Sequence, residues 1–298
     1  MNLHKSQGFS LLELLCAMSI GLIIILLLGE IFVNFKKTYA IESALSSMQE
    51  NARFAAYIMR YAIEQAGFIG SAKITNKFPI IDYGVRTINQ ITNKNYFMLT
   101  VPKVFNINPK NGADVVVAKS MAAITANLTQ DLNNSNKIYV TLNPKFNSND
   151  DIIIADCSHA VLVHLRSAYS YPNKNQQILT ATRIINDKFN QNAEVGKIQT
   201  NAFYIPKNKD ALYIIDANGK RSELIPNIIG LKITSYPTKI LDWSKIKVLK
   251  IKLLLVSQDN VLPKAKEYQF DQHKFYPKDR RLYKEFQFVI KRSVFNHE

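Results

Sequence analysis

Cysteine is nearly absent from this chain of 298 residues: Cys16 and Cys157 are the only two. Cys16 stands inside an apolar N-terminal run, so a disulfide between a thiol in a membrane and one in a folded head is geometrically implausible. Two cysteines without a nearby histidine pair cannot supply a four-ligand structural zinc site. The histidines are His4, His159, His164, His273 and His297, and no HExxH pair occurs. His159 and His164 bound the stretch AVLV and, five apart on an extended strand, point to opposite faces, so no metal site is expected. Phosphate-cradling GxxxxGK or GxGxxG turns and a GxSxG elbow are also missing. Cys157, in ADCSH, is the one nucleophile near a histidine and reads as a buried structural thiol. The pair Asp150-Asp151 reads as part of a turn. No active site or cofactor is expected, and the chain is read as a non-enzyme.

Acids are scarce as well, with 23 Asp or Glu against 38 Lys or Arg, giving a net charge of +15. Such a surplus raises nucleic acid or a membrane surface as partners. From Lys245 to Arg292 there are 13 basic residues against 5 acidic ones, a local +8. In KVLKIKLLLV, however, the lysines alternate with apolar residues, as on the exposed face of a strand. A solvated lysine-rich surface is therefore preferred to a nucleic-acid footprint.

Proline is missing throughout Phe9 to Ala66. The simplest structure for that span is one helix of 58 residues, about 87 Å long. Its first part, Phe9 to Val33, is apolar apart from Ser10, Glu13, Ser19 and Glu30. The run is too long for an ordinary secretory signal, and no small-residue cleavage motif follows it. After FKK, apolar residues recur at Ile41, Leu45, Met48, Ala52, Ala55, Met59, Ala62 or Ile63, and Ala66, which makes one stripe on an amphipathic helix. No leucine seam is sustained, which argues against a coiled coil. Gly67 is the expected C-terminal cap.

Beyond Gly70 the signals are those of strands. DVVVAKS, KIYVTL, DIIIADC, HAVLVHL, KVLKIKLLLV and EFQFVIKR are short, β-branched or aromatic, and bounded by turn formers. ALYIIDANGKRSEL adds a hairpin turning at Asn218-Gly219. The fold class is α+β, with one long helix packed on an antiparallel, β-rich head.

Glu13 is the anomaly. A carboxylate within a membrane segment costs roughly 2.5 to 3.5 kcal/mol on insertion scales, so it needs a partner. The stretch QGFSLLELL, preceded by a short basic leader ending in Gly8, resembles the processing signal of type IV pilins and pseudopilins. That resemblance implies cleavage by prepilin peptidase between Gly8 and Phe9, N-methylation at Phe9, and Glu13 as the fifth mature residue. It also implies that Glu13 pairs with the new amine of a neighbouring subunit, since buried charges persist when paired.

Further on, ALSSMQENARFAAYIMRYAIEQAGFIG resembles the helix end of PilW-type minor pilins, where QENxRFA leads to AGY or AGF and a glycine. ALYIIDANGKRSELIPNIIGLKITSY, DWSKIKVLKIKLLLVS and DRRLYKEFQFVIKRSVFN resemble that family's C-terminal half, in the same order. The stretch from about Ile74 to Lys110 matches nothing. Implied are a leader at 1–8, a transmembrane and assembly helix at 9–33, its amphipathic continuation at 34–67 and a periplasmic head at 68–298, in a type IV pilin-like fold. Implied too is a minor pilin that primes pilus assembly and joins the tip. It would be anchored in the inner membrane of a Gram-negative bacterium, and would work with the major pilin, other minor pilins and, as a further candidate, a tip adhesin. A type II secretion pseudopilin, or a DNA-binding part of a pilus, is the alternative. The family commonly has a cysteine just after the helix-ending glycine, paired with one at the position of Cys157. Here Ser71 stands there, so Cys157 is expected to be free, with Phe68 and Ile69 holding the helix end by packing.

Overall fold

The computed structural model describes residues 11–70, 72–73, 78–92, 95–99, 105–171, 175–237 and 246–291. The expected cleavage site at Gly8 and Phe9, and Ser71, lie outside those residues. So do parts of the stretch from 74 to 110.

Residues Leu11–Glu64 form one helix of 54 residues, about 81 Å long. Its buried side chains are Met48, Ala52, Ala55, Met59, Ala62 and Ile63, the later part of the stripe read from the spacing, while Ile41 and Leu45 are half-buried and Ala66 lies past the helix end. The small alanines let the helix axis approach the head closely. None of its apolar window is buried: Leu11, Leu12, Ile25 and Phe32 are all more than three-fifths exposed. Gly67 ends the helix with a φ of +82°, a value cheap for glycine and strained for any side chain. Its N–H donates to Lys119 O at 2.9 Å, so the chain passes directly from helix to head. A Cβ there would meet the Tyr96 ring at 2.8 Å. Ile69 is buried and Phe68 packs beside it in the same core cluster.

The head holds two larger sheets. One has eleven strands and is built around the long strand Glu194–Tyr204. One half of that strand pairs with Asp151–Ala155 and Ala126–Asn127, the other with Val116–Met121 and Ala211–Ile215. From Asp151–Ala155 the sheet continues through Ala160–Tyr171 and Gln176–Ile185 to the edge strand Ser135–Thr141. Gly196 lets Met121 cross it, since a Cβ there would lie 2.6 Å from that side chain. The second sheet orders Ile228–Tyr236, Val248–Val256 and Tyr283–Lys291, all antiparallel.

One pairing departs from the antiparallel expectation. Ile80–Tyr83 runs parallel to Ala160–Val163, entering from the connection that follows the helix, which allows a parallel approach without a hairpin turn. The Asn218-Gly219 hairpin forms as read, with Gly219 at φ +76°.

One core cluster joins the helix stripe to both sheets, and a second fills the opposite face of the larger sheet. Adjacent strand residues divide between them: Ala160 and Leu162 go to the first, Val161 and Val163 to the second. Burial on both faces explains the unbroken apolar run from Ile152 to Ala155.

Candidate functional site

The free half of the helix is the most distinctive chemical feature of the chain. It is long and apolar enough to cross a membrane, and none of its apolar window is buried in the head. Ser19 donates its hydroxyl to Leu15 O at 2.8 Å, which satisfies it within the helix, as lipid demands. Glu13 lies in the first turn, where the helix dipole favours a carboxylate. In the sequence it stands four residues after Phe9.

Glu30 has a different setting. At roughly 1.5 Å per residue it lies about 28 Å along the axis from Leu11, close to the full hydrocarbon thickness of about 30 Å. Its carboxylate can reach the far interface, whereas Glu13 remains near the other end of the slab.

The head contains two polar sites that sequence reasoning assigned incompletely. Asp151 opens its strand and is buried, which corrects its reading as a turn residue. Arg86 Nε approaches its Oδ2 at 2.7 Å and His164 Nδ1 its Oδ1 at 2.6 Å. Asn89 donates its amide to Asp151 Oδ2 at 2.6 Å and accepts from the Thr200 hydroxyl at 2.9 Å. The arrangement pairs a buried charge. It joins three strands, the short 3-10 turn Thr87–Asn89 and the 216–219 turn, to which Arg86 and Asn89 also bond. The missed signal was an acid placed directly before an Ile-rich, doubly buried strand. Asp150 does act in the turn, accepting from Asn147 N at 2.8 Å and pairing with Lys197.

Cys157 is exposed and free, which corrects its reading as a buried thiol. The reason is the turn that carries it. Asp156 Oδ1 accepts from Ser158 N, the Ser158 hydroxyl and His159 N, a local turn that swings residue 157 outward. Burial opposes ionisation of Asp156, but those bonds outweigh it and hold its carboxyl below the usual range. His159 meets the Ser158 hydroxyl at 2.8 Å and stacks on Phe189 with centroids 4.3 Å apart.

Lys119 is buried on a strand flanking the helix end, and its ammonium donates to Gln90 O at 2.7 Å. Burial lowers its pKa to about 8. In the basic C-terminal segment, Leu249, Ile251 and Leu253 are buried while Lys250 and Lys252 face outward. Lys252 lies near Asp271 and Glu285, and Arg281 pairs with Asp279 at 2.8 Å. Both Asp279 oxygens also accept from the Tyr283 hydroxyl, whose pKa burial and that bond push up to about 12. These pairs engage the segment's own acids Asp271, Asp279 and Glu285, so its net +8 rests on the remaining basic residues.

Compared with known proteins, residues 3–29 match the family described as "Prokaryotic N-terminal methylation motif". No curated protein matches the chain. Among solved structures, "Phage phi92 endosialidase" is 8% identical with a TM-score of 0.17, covering 61% of this chain. The chain spans 42% of that protein's length, and so distant a likeness carries no argument about fold or activity. The motif match supports a type IV pilin-like protein or pseudopilin, a membrane-anchored substrate of prepilin peptidase that assembles with other pilins.

Proposed function

We propose that this chain is a non-enzymatic minor pilin of PilW type, which primes type IV pilus assembly and is incorporated at or near the tip. The observation that carries the reading is the methylation motif at residues 3–29 running directly into one uninterrupted helix whose first half is free of the head. Cleavage between Gly8 and Phe9 would create an amine one helical turn from Glu13. Within one chain that pairing neutralises a positive charge at the dipole's unfavourable end. Between chains it rewards a single axial stagger and so sets register. The head then presents its surfaces to the major pilin, other minor pilins and a tip adhesin, with the precursor held in the inner membrane and its head in the periplasm. The PilW assignment rests on the QENARFA and AGFIG segments and the ordered C-terminal matches.

Glu13→Val tests the reading. Removing the acid makes insertion easier by roughly 2 to 3 kcal/mol, so the variant should reach the membrane at least as well as the native chain. It should fail to support pili, scored by filament counts in the host. Normal piliation would contradict the assembly role of Glu13.

A further inference from the structure

Where the helix leaves the head, it opens a crevice of about 750 Å³. The cause is local: Ala40, Ser43, Ala44 and Ser47 are too small to close the gap above Met48, the first buried residue of the helix. The opposite wall is Asn227 and the loop after the strand Val248–Val256. That wall is preset. Ser257 exchanges backbone and hydroxyl bonds with Leu282, and Asn260 Oδ1 accepts from Arg280 N at 2.8 Å.

We propose that this crevice binds the phosphate-bearing headgroup of an anionic phospholipid. Depth is the first argument. Along the axis from Leu11, Val33 lies at about 33 Å and Lys37 at about 39 Å, which spans the hydrocarbon edge and the headgroup layer of a bilayer about 40 to 45 Å thick. Charge is the second. Lys36 and Lys37 line the upper crevice and have no ion pair among the described residues, against one lining carboxylate, Asp259. Mixed chemistry is the third: Val33, Val256 and Val261 give the crevice apolar walls, while Ser47 and Asn51 offer polar groups deeper in. A lipid can use all three features together, with its tails in the slab, its phosphate at the lysines and its polar headgroup below them. A free anion would use the lysines alone. The proposal rests on the helix spanning a membrane and is independent of the filament reading.

The test uses the full chain in neutral detergent, with phosphatidylglycerol and phosphatidylcholine as probes and bound lipid counted by native mass spectrometry. The glycerol lipid should bind about ten-fold or more tightly than the choline lipid. That preference should be lost in the double variant Lys36→Gln, Lys37→Gln, and also in Ser43→Trp or Ser47→Trp. Both serines are exposed helix positions, so a bulky side chain fills the crevice without entering the core. Lys137→Gln, on the far edge strand, should leave it unchanged. Three results would each overturn the proposal. One is a preference that survives both tryptophan variants, which would mean general attraction to two interfacial lysines. Another is equal competition by inorganic phosphate, which would mean a small-anion site. The third is no preference at all.

Discussion

Lys119 shows how much one side chain can reveal about the head. Its folded pKa of about 8 lies below the ordinary lysine value, so between the two the unfolded chain holds more protons than the native one. Stability contributed by this group therefore rises with pH across roughly 8 to 10.5, and the cost of the buried charge is fully present below pH 8. Lys119→Met removes that dependence. The difference in unfolding free energy between native chain and variant should shift toward the native chain by on the order of 2 kcal/mol from pH 7 to pH 10. Denaturant unfolding at the two pH values measures it, and parallel curves would mean that the ammonium is solvated. Glu13 stands at the same scale, and in the proposed reading its role is tested by assembly rather than by folding.

The helix and its ending belong to the next scale. Gly67 has to satisfy two constraints, a positive φ and the Tyr96 ring at 2.8 Å from any Cβ. Gly67→Ala should therefore destabilise the head by about 1 to 3 kcal/mol, seen as a lower denaturant midpoint and earlier proteolysis at the helix end. A midpoint within error of the native one would show that the junction carries no strain.

Elements of this kind were legible in the sequence because their signals are local. The alanine and methionine stripe, the Asn218-Gly219 turn and the DIIIA run each follow from spacing or composition over a few residues. The strand Glu194–Tyr204 was not legible, although it organises the larger sheet. Its sequence EVGKIQTNAFY mixes Gly, Lys, Gln and Asn with apolar residues, because Gly196 and Thr200 serve a crossing side chain and a buried polar network. The parallel entry of Ile80–Tyr83 was hidden for a similar reason, since only the tertiary path sets strand direction. Asp151 and Cys157 exchanged their expected environments. A buried acid needs partners from distant segments, and the Asp156 turn that exposes the thiol competes with the β-propensity of its neighbours.

At the scale of the whole molecule, the chain divides its work between a helix made for lipid or a filament core and a head tied to the helix's lower half. The basic surplus follows the same division. On the strand Val248–Val256 the lysines alternate with buried Leu249, Ile251 and Leu253, and Lys252 meets Asp271 and Glu285. The detergent-solubilised chain should accordingly retain DNA weakly, with a log-log salt slope shallow beside the roughly −0.9 per phosphate contact of a true duplex binder. A slope of −5 or steeper in a filter-retention assay would instead favour the DNA-binding alternative.

The central claim is that the N-terminal segment is a processing site whose product charge is answered by Glu13. Intact mass of the protein extracted from its native membrane tests this most directly, because it reports cleavage and methylation together. The account predicts a chain that begins at Phe9 and carries one added methyl group; a chain retaining residues 1–8 and no methyl group would contradict it.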